Sequence, residues 1–204
     1  MFTGLIQHVG RVASVQAVGD GAEIRIDPAG WSHVPDLGSS IAVDGCCLTV
    51  VAVDEHGWRF DAVRQTLDLT TLGGLAAGDP VNLEHAVSAS TLMGGHVVQG
   101  HVDATGTVRD VSDADRSWRV RIAVEPDLMA RVVDQGSITV AGVSLTVAGT
   151  GDDWFDVALI PATLDATTLG RRVPGDRVNL ETDVLARMVA RWMERMMPGG
   201  QGSR

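Results

Sequence analysis

Cys47, Ser144, His96 and His101 are the side chains in this sequence best suited to nucleophilic or proton-transfer chemistry. A thiol or hydroxyl attacks once a neighbouring base activates it, and imidazole titrates where a base near neutral pH must. Neither Cys47 nor Ser144 has such a base beside it in the chain, so each reads either as a nucleophile or as an ordinary strand residue. The histidines belong to Gly94-Gly95-His96-Val97-Val98-Gln99-Gly100-His101-Val102-Asp103. In an extended chain an odd spacing sends the two rings to opposite faces, which argues against one shared metal. The glycines let backbone approach a ligand closely. Thr66 and Thr163 each follow a β-like run and precede a turn-like stretch, where a hydroxyl either holds a planar heterocycle or caps the turn. No acidic pair, metal-ligand cluster or phosphate-cradling glycine loop stands out.

Composition narrows the classes. The net charge is −10, the sign opposite to that of a general nucleic-acid binder. All 16 cationic residues are arginine, and tyrosine is absent. Schiff-base lysine, P-loop lysine and tyrosine acid–base chemistry are therefore excluded. Cys46 and Cys47 are adjacent and cannot staple a loop, so a reduced, cytoplasmic setting is expected. The N-terminus lacks the basic and apolar regions of a secretory signal, and no run reaches the ~20 apolar residues of a membrane helix.

The elements that position these residues come in duplicate. Gly45-Cys46-Cys47-Leu48-Thr49-Val50 aligns with Gly142-Val143-Ser144-Leu145-Thr146-Val147, an offset of 97 (142 − 45). Thr66-Leu67-Asp68 aligns with Thr163-Leu164-Asp165, and Val81-Asn82-Leu83-Glu84 with Val178-Asn179-Leu180-Glu181, at the same offset. Such a period is too long for a solenoid and indicates a duplicated small domain. The expected units are residues 1–90 and 95–183, joined by a small-residue linker, then a helix over 184–197 and a disordered tail over 198–204. Ser40–Val43, Leu48–Val53, Trp58–Val63, Val81–Glu84 and Trp118–Val124 read as short strands with Gly and Asp turns. That pattern predicts an all-β chain with one small closed barrel per half. In the tail, Asp183 suits the N-cap, and Leu185, Met188, Val189, Trp192 and Met196 form one apolar stripe. The stripe serves either self-association or packing on the second barrel.

In order and in duplicate, these blocks resemble the riboflavin synthase family, α-chain type. Further carriers are the start Met1-Phe2-Thr3-Gly4-Leu5-Ile6 and the Gly95-His96 to Asp103 block. The resemblance covers about residues 1–195 and implies two six-stranded Greek-key barrels, a C-terminal helix and a homotrimer. The implied reaction is the dismutation of two 6,7-dimethyl-8-ribityllumazine molecules to riboflavin and 5-amino-6-ribitylaminouracil, with no cofactor and no metal. The resemblance also implies lumazine synthase as a partner, and neither nucleic acid nor membrane. Phe2 is expected to close the first pocket, and Ser40, Cys47 and Thr49 to line it, Cys47 as a nucleophile or polar contact. His101, Ser144, Thr146 and Asp183 are expected at the second site, with His101 or Ser144 assisting proton transfer. Ring and ribityl contacts are implied for Gly4, Leu5, Ile6, Leu48, Asp61, Ala62, Val63, Arg64, Gln65, Thr66, His96, Gly100, Val102, Gln135, Leu145, Ala158, Leu159, Ile160, Pro161, Ala162 and Thr163. Gln65, Gln135, Ala141, Ala162 and Met188 depart from the family's usual Glu, Lys, Asp, Glu and aromatic. These departures leave open a non-enzymatic lumazine or flavin binder, or a paralogue acting on a different pteridine.

Overall fold

The computed structural model describes residues 1–114 and 117–196. Met197 and the segment 198–204, expected to be a disordered tail, lie outside the described residues. The first half supplies β1 (His8–Val18), β2 (Gly21–Asp27), β3 (Ser40–Val43), β4 (Cys46–Asp54), β5 (Gly57–Ala62) and β6 (Pro80–His85). The second supplies β7 (Ala104–Ala114), β8 (Ser117–Ala123), β9 (Ser137–Val140), β10 (Val143–Thr150), β11 (Trp154–Leu159) and β12 (Arg177–Thr182). Each set closes into an antiparallel barrel, in the cyclic order β1-β2-β5-β4-β3-β6 and its equivalent β7-β8-β11-β10-β9-β12. Closure leaves no sheet edge unpaired, which suits short strands with little core each.

Alternation accounts for the walls. Ile24 and Ile26 of β2, Trp58 and Phe60 of β5, and Val81 and Leu83 of β6 point into one core; Ile122, Phe155, Val178 and Leu180 are among those filling the other. The β3–β4 turn places Asp44 and Gly45 at φ 43° and 79°, and the β9–β10 turn places Ala141 and Gly142 at 49° and 80°. Two successive positive φ values make the hairpin turn whose twist matches the strands.

The stretches after β5 and β11, expected to be turn-like, are short helices: α1 (Arg64–Leu69) and α3 (Pro161–Ala166). Thr66 and Thr163 sit inside them, and the capping threonines are Thr70 and Thr167, which accept from Leu72 and Leu169 N–H. Six residues span too few turns to show a helical period, and the residues before them, Val63 and Ile160, provide no side-chain cap. A third short helix, α2, covers Pro126–Met129, and the C-terminal α4 covers Val184–Met196. Asp183 Oδ1 accepts the Leu185 N–H at 2.9 Å, as an N-cap should. Leu185, Met188, Val189, Trp192 and Met196 are all 57–66% exposed, so the stripe does not pack on the second barrel.

The halves interlock through the repeated Val-Asn-Leu-Glu strands. Val81 and Leu83 enter a core, but Asn82 and Glu84 on the opposite face are also buried, Asn82 against the other half and Glu84 under the N-terminal segment at Thr3 and Gly4. Asn82 donates to the Ala141 carbonyl at 2.9 Å and accepts the Thr168 N–H at 2.8 Å; Asn179 donates to the Asp44 carbonyl and accepts the Thr71 N–H. Across this two-fold, Asp44 and Ala141 are equivalent but differ chemically. Asp44 is buried, accepts the Asn82 N–H at 2.8 Å and lies 3.8 Å from Arg172.

Burial pushes the Asp44 carboxyl up from 3.8 to about 6, more than the Asn82 N–H and Arg172 lower it. A raised carboxyl favours folding when protonated, so its contribution is fully present below pH 3.8 and lost as pH rises through about 6. Asp44→Asn keeps the acceptor and tolerates the positive φ. It is expected to stabilise the chain by up to about 3 kcal/mol at pH 7 and by almost nothing at pH 3.5. Urea denaturation at the two pH values measures the difference.

Candidate functional site

Two segments outside the strands cross between the barrels. Phe2 and Val98 form an antiparallel bridge, with Phe2 N–H to Val98 O at 2.7 Å and Val98 N–H to Phe2 O at 3.1 Å. From this bridge the chain around Gly4 runs to the second barrel, where its carbonyl accepts the Ser144 N–H at 2.7 Å. The chain around Gly100 runs to the first barrel, where its carbonyl accepts the Cys47 N–H at 2.9 Å. Each segment is gripped by a buried glutamate on its other side. Glu84 accepts the Thr3 N–H, Thr3 hydroxyl and Gly4 N–H at 2.7–2.9 Å, and Glu181 accepts the Gln99, Gly100 and His101 N–H groups at 2.8–3.0 Å. Val102 packs in the first core, and Ile6 packs against the second.

This exchange makes two equivalent candidate sites, the first cleft beside Cys47 and the second beside Ser144. In the first, Gly100–Val102 lies against β4 at Cys47, and β4 is flanked by β3 at Ser40–Val43 and by β5, which leads into α1. Thr49, Asp61, Val63, Arg64, Gln65 and His101 are exposed, while Ser40, Cys47 and Thr66 are half-buried. In the second, Gly4–Ile6 lies against β10 at Ser144, and β10 is flanked by β9 at Ser137–Val140 and by β11, which leads into α3. Leu5, Thr146, Ala158, Ile160, Pro161 and Ala162 are exposed there, and Ile6, Ser144, Leu145 and Thr163 half-buried. Leu48, Ala62, Val102 and Leu159 point into the cores, so only their backbone faces a ligand.

Within one chain the structure places His101 beside Cys47 and not beside Ser144. His101 stands between Gly100, bonded to Cys47, and Val102, packed in the first core. It therefore belongs to the first cleft. The histidine beside Ser144 is His96, whose Nδ1 lies 2.7 Å from Ser144 Oγ. Burial holds the His96 imidazole below its usual 6.5, partly opposed by the Asp183 carboxylate. In the tautomer with Nδ1 bare, the neutral ring accepts the Ser144 hydroxyl hydrogen bond and polarises Oγ; in the other, Nδ1–H donates to Oγ. His96 Nε2 is buried and without a hydrogen-bond partner among the described residues, so a ligand polar group there would satisfy it.

Cys47 is half-buried at the first cleft, whereas Cys46 faces the core, where burial, then the neighbouring Cys47 and Glu181, pushes its thiol up to about 12. Cys47 is the reactive one of the pair by position. The Phe2 ring is wholly buried against Ala42, Val98, Cys47 and Ala86, behind the first cleft, where it anchors the N-terminus. Gln135 sits at φ 60° at the entrance to β9, its N–H donating to Val147 O. Ser137 was missed by the sequence reading: it pairs with Thr146 as Ser40 pairs with Thr49. The offset of 97 (137 − 40) would have found it. Glu84 and Glu181 were also missed; their signal was a charged residue repeated within an apolar strand. Among the described residues no cluster could hold a metal ion, and no helix is long and apolar enough to cross a membrane.

Comparison with known proteins agrees with the duplicated architecture. The family model described as lumazine binding domain matches twice, at residues 3–86 and 99–183. A riboflavin synthase from Mycobacterium tuberculosis is 45% identical over 197 residues, spanning 95% of this chain and 98% of that protein. A crystal structure of LumP complexed with 6,7-dimethyl-8-(1'-D-ribityl) lumazine superposes with a TM-score of 0.80 at 27% identity, covering 89% of this chain and 99% of the other. One of LumP complexed with riboflavin gives 0.81 at 29%, with the same coverage.

Proposed function

The chain belongs to the lumazine-binding domain family, and from that premise we infer that it is a riboflavin synthase, an enzyme of riboflavin synthesis. It takes two 6,7-dimethyl-8-ribityllumazine molecules, moves a four-carbon unit from one to the other, and yields riboflavin and 5-amino-6-ribitylaminouracil. The atoms balance without oxidant or cofactor. The observation that carries this reading is the pair of equivalent clefts, since a reaction between two identical molecules needs two similar pockets. Holding both rings in register converts a bimolecular encounter into a local step, an effect that can reach ~7–11 kcal/mol.

The chemical roles divide between the clefts. Neutral His96, polarising Ser144 Oγ at 2.7 Å, is read as the proton-accepting pair for the acidic 7-methyl of the lumazine in the second cleft. Cys47, half-buried at the first cleft, is read as the group that adds at C7 of the other ring or contacts it. His101 on the rim of the first cleft serves proton transfer there, not beside Ser144.

The same reading extends to a cytoplasmic homotrimer, with lumazine synthase as a protein partner. The exposed apolar stripe of α4 supports self-association: five large side chains in one row are a surface that another copy would cover. Chain termination after Val184 is expected to reduce the sedimenting mass to that of smaller particles. An unchanged mass would remove α4 from the interface.

Incubation of the purified protein with 6,7-dimethyl-8-ribityllumazine, with riboflavin followed by absorbance and chromatography, tests the activity. Catalytic riboflavin formation is the expected result. Tight binding without turnover would overturn the enzymatic reading in favour of a ligand carrier, and neither would point to a different pteridine.

A further inference from the structure

The two clefts are built by the same device but anchored differently. In the second half, Arg187 of α4 reaches into the crossing segment. Its Nη2 donates to Gln99 Oε1 at 2.6 Å and lies 3.7 Å from Glu181, and its Nη1 donates to Asp103 Oδ1 at 2.9 Å. Asp103 in turn accepts the Thr182 N–H and hydroxyl at 2.8 Å, with Arg131 at 3.6 Å. Glu181 and Asp103 are almost fully buried, so each needs its partners. Thus one side chain of the helix touches both the residue that starts the Gln99–His101 wall and the carboxylate that grips its three N–H groups.

Among the described residues the first half has no counterpart. Gln7 accepts the His85 N–H where Asp103 accepts that of Thr182, but Gln7 is uncharged. The residue 97 positions before Arg187 is Ser90, exposed in the linker and bonded to Ser88. Glu84 therefore holds Thr3 and Gly4 without an arginine.

We propose that Arg187 is a positioning residue that holds Gln99–His101 in place over Cys47, so that the seating of α4 sets the wall of the first cleft and not the Gly4 wall of the second. The helix carries the exposed apolar stripe at its outer side and this arginine at its root. Whatever covers the stripe is thereby mechanically joined to the wall of the first cleft. A guanidinium is suited to the task because its fork can serve Gln99 and Asp103 at once while neutralising Glu181.

The test uses the full-length chain and reads three quantities. Cys47 alkylation by iodoacetamide, followed by mass spectrometry, reports the first cleft, since Cys46 is buried with its thiol pushed up to about 12. Amide exchange of residues 99–101 and of 3–5 reports the two walls separately. Steady-state riboflavin formation, which rests on the reading above, reports the consequence for turnover. Arg187→Met is expected to speed Cys47 alkylation and exchange at 99–101 by about tenfold, the scale of one charge-assisted hydrogen bond. Exchange at 3–5 is expected to stay unchanged and kcat to fall more than KM rises. Arg187→Lys, which restores the charge but not the fork, should recover part of each. Gln99→Ala breaks the link without touching the helix, and decides the matter if Arg187→Met folds poorly. Unchanged Cys47 alkylation, or equal loosening of both walls, would overturn the proposal. If the unaltered chain makes no riboflavin, the activity reading falls while the alkylation and exchange results still decide the role of Arg187.

Discussion

His96→Ala is expected to lower kcat for riboflavin formation by about 10²–10³-fold, the usual range for losing a positioned acid–base group. The ring nitrogen 2.7 Å from Ser144 Oγ is the nearest base to that hydroxyl among the hydrogen bonds of the second cleft. Removing it leaves Ser144 an ordinary alcohol. Ser144→Ala is expected to cost a similar factor, and the double variant little more than either, because the two act as one unit. The pH profile carries a second signature. Burial holds His96 below 6.5, so the ring stays neutral as pH falls through that value and the acid limb lies lower than for a solvated histidine. A kcat that survives His96→Ala within a factor of two would remove the pair from the chemistry. Loss of riboflavin affinity with kcat intact would instead make His96 a contact residue.

Gly100→Ala and Gly4→Ala are each expected to destabilise the fold by about 2–5 kcal/mol and to damage different clefts. Both glycines have left-handed φ, 78° and 75°, a conformation that costs an alanine about 1–2 kcal/mol. Both also back directly onto the strands that carry Cys47 and Ser144. A Cβ on Gly100 would lie 2.6 Å from Cys47 Cβ and 2.9 Å from the Phe2 ring, and a Cβ on Gly4 would lie 2.6 Å from Ser144 Cβ. Overpacking of that kind adds about 1–3 kcal/mol. The walls must retreat, and a shift near 1 Å at a reacting centre can cost about 10² in rate. Gly100→Ala should therefore alter Cys47 alkylation, and Gly4→Ala should alter the His96 acid limb, each leaving the other cleft's readout in place. Denaturant midpoints measure the stability part, and equal effects on both clefts would contradict the independence of the two walls.

Much of this architecture is legible in the primary structure, for definite reasons. Strand alternation in Trp58–Val63 and Trp118–Val124 reports one buried face, and the offset of 97 reports that the unit occurs twice. The Asp44-Gly45 turn follows from the conformations those residues tolerate. Less visible were α1 and α3, too short to carry a period, and the roles of Asn82, Glu84, Asn179 and Glu181. Alternation places those four on the outer face of a strand, where a lone barrel would leave them solvated. They are buried because a second barrel and a crossing segment lie on top of them.

Two closed barrels, a capped terminal helix and the residue types of two equivalent pockets are readable from the primary structure, because each follows from local pattern and repetition. Only the tertiary structure decided which residues share a pocket. Gly4 serves the second barrel and not the first that directly follows it, and Gly100 serves the first, so His96 meets Ser144 while His101 joins Cys47. Alternation records that a face is buried but not what buries it. In a duplicated chain both barrels offer the same acceptors, so the choice between them is made by the Phe2–Val98 bridge and the buried glutamates that hold the two segments.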